Sequence, residues 1–210
     1  IGVFPLNRPE SFNAFHAAMI GDLAEKLIDV SSSDDVVGIV LTGAGKAFCA
    51  GADLKWLYTC ALTPGAALHS LAAAYHQAIV EIRRMPKPVV AAVNGLAAGG
   101  GFSMALACDF RVMAKSAIFR QAYTSNGLSV DGGGTYTLPR LVGLAKAMEI
   151  LAFDRPIPAE QALTLGLVTE VVEEGRAVNR AMAMIQEITK RPLSSFLASK
   201  KLLTDSFHTP

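Results

Sequence analysis

Two glycine-containing junctions are the part of this sequence best suited to chemistry. They are Ala50-Gly51-Ala52 and Gly99-Gly100-Gly101, and each stands where a strand-like run changes into a helix-like run. The first amides of a helix have no partner within it, and the helix dipole adds positive potential at that end. Two such N–H groups that meet at one oxygen can stabilise an enolate or a tetrahedral anion. A tight turn in a packed core explains the same residues equally well, and composition does not show whether the junctions converge.

The composition is that of a globular protein without a marked charge. The 210 residues are 51% hydrophobic and 18% charged, with a formal net charge of +1, which excludes a disordered chain and gives no support to nucleic-acid binding. No apolar run is long enough to span a bilayer, so no membrane association is expected. The three cysteines (Cys49, Cys60 and Cys108) suit a reducing compartment. We expect a cytoplasmic protein, although the chain begins without methionine, which leaves a targeting peptide and an organellar location open.

Strand-like and helix-like runs alternate along the chain, which predicts an α/β fold with mainly parallel strands. The continuous apolar runs at residues 36–42 and 89–93 are typical of strands that are covered on both faces. Asn13 is a plausible N-cap for a helix over residues 14–30, and residues 120–137 are interpreted as a long irregular segment. Further helices are predicted over residues 63–84, 139–153 and 192–207, the second with Pro139 in its first turn.

Several common catalytic and binding motifs are missing from the sequence. It contains no G-x-G-x-x-G after its first strand, no P-loop and no G-x-S-x-G nucleophile elbow. No group of histidine, cysteine and carboxylate residues has the spacing of metal ligands, so no metal is expected. The histidines are scattered over helical segments and are interpreted as surface or packing residues: His16, His69, His76 and His208.

A set of motifs, in their order and spacing, resembles one protein family. They are Asn7-Arg8-Pro9-Glu10 with Asn13-Ala14, KAFCAGADL from Lys46 to Leu54, Lys87-Pro88-Val89 through Asn94-Gly95 to the glycine triplet, and Gly133-Gly134-Thr135 with Leu138-Pro139-Arg140. Over essentially the whole chain they resemble the enoyl-CoA hydratase/isomerase (crotonase) superfamily. The resemblance implies a crotonase-like β-β-α spiral over residues 1–190. It also implies that residues 191–210 start a C-terminal helical region, continuing beyond this sequence, that joins subunits into a homotrimer or hexamer.

The resemblance also implies which residues bind an acyl-CoA thioester substrate. In the family two amides hold the thioester oxygen, and they correspond to Ala52 and Gly100 here. The residues implied in coenzyme A binding surround the first junction: backbone around Ala50, Ala52 and Leu54 near the adenine, and Lys55 near the phosphates with help from Arg8. Asp53 is also implied in coenzyme A binding. A solvated surface lysine explains Lys55 almost as well. Coenzyme A is part of the substrate, so no separate cofactor is expected.

Departures from the family pattern bear on the type of reaction. Hydratases of the family carry one glutamate after the glycine triplet and another in the loop after the next strand, whereas those positions here hold Ser103 and Tyr123. Neither side chain can act as a carboxylate base. Asp131 stands instead where several family members place their working carboxylate, among them the ring-epoxide isomerases of phenylacetate breakdown. The resemblance therefore favours an isomerase, in which Asp131 moves a proton and Ser103 and Tyr123 shape the pocket or orient Asp131.

Other functions are compatible with the same residues. Asp131 can be a turn aspartate that caps its own loop. It can also be a nucleophile, as in the family's 4-chlorobenzoyl-CoA dehalogenases or in thioester hydrolysis. Tyr123 stands where the dehalogenase has a tryptophan, but no histidine adjoins Asp131 in the sequence. Hydration is a further alternative, as is a CoA-binding or RNA-binding relative without catalysis, although the near-neutral charge argues against RNA.

Overall fold

Short apolar runs separated by glycine, proline and polar residues form two β-sheets in this computed structural model, which describes residues 1–60 and 63–206. The first sheet is parallel throughout and has the spatial order β1 (Gly2–Leu6), β2 (Ile39–Gly43), β4 (Val89–Val93), β6 (Phe110–Ala114) and β9 (Glu170–Val172). The second sheet has the order β3 (Ala47–Cys49), β5 (Leu96–Ala98), β7 (Ile118–Arg120) and β8 (Ile157–Pro158), and its β7–β8 pair is antiparallel. The predicted α/β class with mainly parallel strands is confirmed.

The helices follow the strands in a repeating order. In chain order they are α1 (Ala17–Ser31), α2 (Leu54–Thr59), α3 (Pro64–Arg84), α4 (Gly100–Ala107), α5 (Gly134–Val142), α6 (Leu144–Phe153), α7 (Ala159–Thr164), α8 (Ala177–Thr189) and α9 (Leu193–Asp205). The pairs β2–β3, β4–β5 and β6–β7 each give one strand to each sheet, and helices follow each pair. This arrangement is the β-β-α spiral that the family resemblance implies.

The spiral explains why the two glycine-containing junctions come together. β3 and β5 are parallel neighbours in the second sheet, with Cys49 opposite Ala97. Parallel strands that pair in this register end at the same edge of their sheet. The segments that leave β3 and β5, which are the two junctions, therefore start side by side.

The central strand β4 is buried on both faces. Its residues Val89, Ala91 and Val93 belong to the main hydrophobic core, whereas Val90 and Ala92 pack in a second cluster against α8. A strand between two apolar layers cannot alternate polar and apolar residues, so the continuous apolar sequence is required. This rigid centre supports the short strands that carry the site.

The helix α1 begins later than predicted, because Asn13 is not its N-cap. His16 caps the helix instead, and its Nδ1 atom accepts the N–H of Met19 at 3.1 Å. Asn13 is fully buried, and its side-chain amide donates to the carbonyl oxygens of Ala44 and Ala47 at 2.9 and 2.8 Å. These tertiary hydrogen bonds override the local capping preference and fasten the chain to the start of β3.

The helix predicted over residues 139–153 is in fact two helices, α5 and α6, and Pro139 lies inside α5 rather than in a first turn. α5 starts directly after Gly133, which has a φ of +71°, so the glycine-rich run itself leads into the helix. At its end, Gly143 donates its N–H to the Pro139 carbonyl at 2.9 Å and then leaves the helical conformation with a φ of +78°. The predicted irregular segment is correspondingly shorter. The last helix ends at Asp205, and Phe207 lies outside the described residues.

Candidate active site

The first junction turns the amide of Ala52 away from the neighbouring segment around Phe15. Phe15 and Ala52 form a parallel bridge in which the Phe15 N–H donates to the Gly51 carbonyl at 2.8 Å and the Asp53 N–H donates to the Phe15 carbonyl at 2.9 Å. The groups on either side of Ala52 thus make both bonds, and the N–H of Ala52 itself points the other way. Gly51 allows this course because its φ is +94°, a conformation that other residues rarely adopt.

The second junction places Gly100 at the first position of α4. Gly99 precedes it with a φ of +52° and donates its N–H to the Arg120 carbonyl at 3.1 Å. The N–H of a first helical residue has no partner within the helix. Gly100 therefore presents an N–H at the positive end of the α4 dipole.

The two junctions are in direct contact. A Cβ atom added to Gly51 would lie 3.0 Å from the amide nitrogen of Gly100, and one added to Gly101 would lie 2.0 Å from the carbonyl oxygen of Cys49. Only glycine fits at such distances. The structure therefore brings the Ala52 and Gly100 segments together, which the sequence alone left open.

Asp131, Tyr123 and Ser103 form a chain of hydrogen bonds. The Tyr123 hydroxyl donates to Oδ1 of Asp131 at 2.5 Å, and Oγ of Ser103 lies 3.0 Å from the Tyr123 oxygen. Since the phenolic proton is used on Asp131, Ser103 is the donor to Tyr123. Ser103 and Tyr123 are buried, whereas Asp131 is only partly so. The three predicted residues thus lie together, and the carboxylate of Asp131 is at the more exposed end of these hydrogen bonds.

The environment keeps Tyr123 protonated. Burial raises the pKa of the Tyr123 hydroxyl far above its ordinary value, and the negative charge of Asp131 raises it further. The phenol is consequently a permanent hydrogen-bond donor. Its hydrogen bond holds one of the two carboxylate oxygens of Asp131 in place.

Tyr75 belongs to the same site, although the sequence indicated only a residue on the apolar face of α3. Its hydroxyl donates to the Gly100 carbonyl at 2.5 Å, and its ring stacks on Phe15 with centroids 4.7 Å apart. A Cβ atom added to Gly132 would lie 2.3 Å from the Tyr75 oxygen. The only signal in the sequence is that a buried tyrosine needs a polar partner.

His76 also reaches this region, from the surface position that the sequence predicts. Its side chain is exposed on α3, and its Nε2 atom accepts the N–H of Gly132, the residue after Asp131, at 3.2 Å. No local pattern in the sequence connects these two segments. The contact exists because α3 packs against the loop before α5.

Of the residues predicted near coenzyme A, Arg8 and Asp53 bind each other. The Arg8 guanidinium donates to Oδ2 of Asp53 at 2.9 Å and to the Ala14 carbonyl at 2.6 Å. Asp53 is the N-cap of α2 and accepts the N–H of Trp56 at 3.0 Å. Although burial acts to raise it, these hydrogen bonds and the Arg8 charge hold the pKa of Asp53 below its ordinary value. The pair fixes the segment that follows Ala52.

The remaining predicted coenzyme A residues differ in their accessibility. Leu54 and Lys55 are exposed in the first turn of α2, where a ligand can reach them. Ala50 is half-buried, and its N–H donates to the Phe12 carbonyl at 3.0 Å. Among these predicted residues, Leu54 and Lys55 in α2 are therefore the two whose side chains are exposed to a large ligand.

A cavity of about 880 Å³ adjoins the loop that carries Asp131. His76 and Gly133 border it, and its walls include the apolar side chains of Ile79, Val80 and Leu197.

Within residues 1–60 and 63–206, no cluster of histidine, cysteine and carboxylate side chains could hold a metal ion. None of the helices in that same part of the chain is long and apolar enough to cross a membrane.

Comparison with known proteins places the whole chain in one family. Residues 1–210 match the family model described as enoyl-CoA hydratase/isomerase. The chain is 38% identical over 188 residues to the 1,2-epoxyphenylacetyl-CoA isomerase of Escherichia coli K12, covering 89% of this chain and 72% of the relative. It is 35% identical over 196 residues to 4-chlorobenzoyl coenzyme A dehalogenase-2 of an Arthrobacter species, covering 91% and 70%.

The solved structures give the same result for the fold. A crystal structure of an enoyl-CoA hydratase from Polaromonas sp. JS666 superposes with a TM-score of 0.92 at 36% identity, covering 99% of this chain and 81% of that one. The similar proteins thus carry names for different reactions on one fold. The fold alone therefore does not determine the type of reaction.

Proposed function

Since the chain belongs to the enoyl-CoA hydratase/isomerase family and has the crotonase fold, we propose that it is an acyl-CoA isomerase that shifts a carbon–carbon double bond through an enolate. The observation that carries the proposal is the hydrogen bond from the Tyr123 phenol to the Oδ1 atom of Asp131, at 2.5 Å. Ser103 and Tyr123 fill the positions at which the sequence resemblance implies the glutamates of a hydratase. The site is therefore equipped with one carboxylate base rather than two.

In the proposed reaction Asp131 takes a proton from the substrate and returns it to a different carbon. The Oδ2 atom does this work, because Oδ1 accepts the hydrogen bond from Tyr123. The negative charge that develops on the thioester oxygen is stabilised by the N–H groups of Ala52 and Gly100. One base is enough because the reaction only moves a proton. Coenzyme A enters as part of the substrate, with Leu54 and Lys55 exposed on the side of the first junction.

The choice between isomerase and hydratase makes a direct prediction. The protein should convert a 3-enoyl-CoA into the conjugated 2-enoyl-CoA much faster than it hydrates crotonyl-CoA, because hydration needs a second acid–base group to activate water. The absorbance of the conjugated thioester follows both reactions, rising in the first and falling in the second. Asp131→Asn serves as the blank in both assays. Efficient hydration without isomerisation would refute the proposal, and tight binding with neither reaction would indicate a CoA-binding protein without catalysis.

A second candidate function, with Asp131 as a nucleophile, comes from one observation, which is that a histidine, His76, lies close to the Asp131 loop. In that reaction a carboxylate oxygen of Asp131 forms an ester with an aryl carbon and halide leaves with the bonding electron pair. Water then hydrolyses the ester while a base takes its proton. His76 lies beside the next residue, with its Nε2 atom 3.2 Å from the Gly132 nitrogen.

The two functions can be separated with 4-chlorobenzoyl-CoA as the substrate. We expect no chloride release above the background of the Asp131→Asn variant, because His76 contacts the backbone of the loop rather than the carboxylate. Chloride measured with an ion-selective electrode gives the answer. Release that depends on both Asp131 and His76 would establish the nucleophilic reaction instead.

A further inference from the structure

Tyr75 contacts both halves of the proposed catalytic machinery. It lies in the middle of α3, and only 1% of its surface is exposed. One side of its phenol group meets Gly100 of the second junction and the other side meets Gly132, the residue after Asp131. None of the reaction steps proposed above requires a phenol at this place.

The contact with Gly100 is a hydrogen bond supported by ring packing. The Tyr75 hydroxyl donates to the Gly100 carbonyl at 2.5 Å. Phe15, on which the Tyr75 ring stacks, approaches the same glycine so closely that an added Cβ would lie 2.7 Å from its Cζ atom. Glycine has no side chain of its own to anchor the first residue of the helix in the core. Tyr75 and Phe15 thus both contact Gly100, and they limit how far the start of α4, which carries the Gly100 N–H, can move.

The contact with the Asp131 loop is steric. Gly132 has a φ of +58°, and a Cβ atom there would lie 2.3 Å from the oxygen and 2.6 Å from the Cε1 atom of Tyr75. The backbone of the loop therefore rests directly on the phenol group. Burial, followed by the nearby groups Tyr123 and Asp131, raises the pKa of the Tyr75 hydroxyl well above its ordinary value, so the hydrogen bond to Gly100 persists at physiological pH.

We propose that Tyr75 is a positioning residue that holds the Gly100 amide and the Asp131 loop at a fixed separation. The proposal rests on the proposed function in so far as those two groups act on one substrate. An enolate can be held and reprotonated only if the oxygen site and the base keep their spacing, and a displacement near 1 Å can cost about 100-fold in rate. The phenol oxygen, between Gly100 and Gly132, sets that spacing.

The test combines Tyr75→Phe with a measurement that does not need turnover. Binding of cinnamoyl-CoA, a conjugated thioester, should shift its absorbance to longer wavelength, because two N–H groups polarise the carbonyl. We expect Tyr75→Phe to reduce this shift and to lower kcat about 10- to 100-fold, with KM changed only a few-fold. Tyr136→Phe is the matched control, since the Tyr136 hydroxyl also donates to a backbone carbonyl, that of Thr204, at 3.1 Å. It should leave the shift and kcat unchanged.

A second pair of variants approaches Tyr75 from the other side. Gly132→Ala and Gly127→Ala introduce the same strain, since the two glycines have φ values of +58° and +69°, but only the first Cβ meets Tyr75, and nothing lies within 4 Å of the second. We expect only Gly132→Ala to weaken the absorbance shift. If both Tyr75→Phe and Gly132→Ala keep the full absorbance shift and the full kcat, the positioning role of Tyr75 is overturned. The proposed function would be unaffected by that result. A wild-type protein that binds cinnamoyl-CoA without any shift would overturn the oxyanion site and this proposal together.

Discussion

We expect the Asp131→Asn variant to isomerise a 3-enoyl-CoA about 100- to 10,000-fold more slowly than the wild-type protein, the range that a positioned acid–base group contributes. The asparagine oxygen can still accept the Tyr123 hydrogen bond, so the loop should keep its place. It cannot take a proton from carbon at neutral pH. Steady-state kinetics should show the loss in kcat, and calorimetry should show the affinity for an acyl-CoA changed only a few-fold.

The control for this prediction is Tyr123→Phe, which keeps the carboxylate and removes its donor. We expect this variant to retain considerably more activity than Asp131→Asn, because the base itself is intact. The comparison separates loss of the base from disturbance of the buried hydrogen-bond chain. Asp131→Asn with most of the wild-type rate would show that Asp131 only caps its loop.

The second large effect is expected at Gly100, where Gly100→Pro and Gly100→Ala form a matched pair. Either substitution adds a Cβ atom 2.7 Å from the Cζ atom of Phe15, so this disturbance of the packing is common to both, whereas the proline ring also places a carbon on the amide nitrogen. Only proline removes the N–H. We expect Gly100→Pro to be about 100- to 1,000-fold slower than Gly100→Ala, which is the usual effect of losing one oxyanion donor.

Proline suits the first position of a helix, so the start of α4 should tolerate it. Circular dichroism and the thermal midpoint of unfolding, measured for both variants, check that the fold survives. The cinnamoyl-CoA absorbance shift should be smaller in Gly100→Pro than in Gly100→Ala. Equal rates in two folded variants would mean that the Gly100 N–H does not act on the substrate.

The order of elements could be predicted from the sequence because the apolar runs are continuous and glycine and proline interrupt them. The helix bounds were wrong where tertiary contacts outweigh local preference. Asn13 has the right residue type for an N-cap, but its side chain bonds to Ala44 and Ala47 inside the protein. Pro139 is tolerated inside α5, although proline usually marks a first turn.

The candidate site was predictable only where side-chain type or motif carries the information. Asp131, Ser103 and Tyr123 could be named, yet their mutual contact depends on how the loop after β7 folds back over α4. Tyr75 and His76 could not be recognised. Apolar periodicity assigns Tyr75 to the core, and it says nothing about a hydrogen bond across the core to Gly100. Short strands such as β3 and β5 carry too few residues for a clear pattern, although their pairing brings the junctions together.

The contact of Gly51 with Gly100 has a consequence for how the chemistry of such a scaffold can change over evolutionary time. The proposed oxygen-binding part is made of main-chain N–H groups, which every residue except proline provides. A substitution other than proline leaves these N–H groups in place, while the close backbone approach tolerates only glycine at Gly51 and Gly101. In the proposed reaction, the groups that act on the enolate are side chains on separate elements. A lineage can therefore exchange one reaction for another by substituting a few side chains while it inherits the oxygen-binding part unchanged.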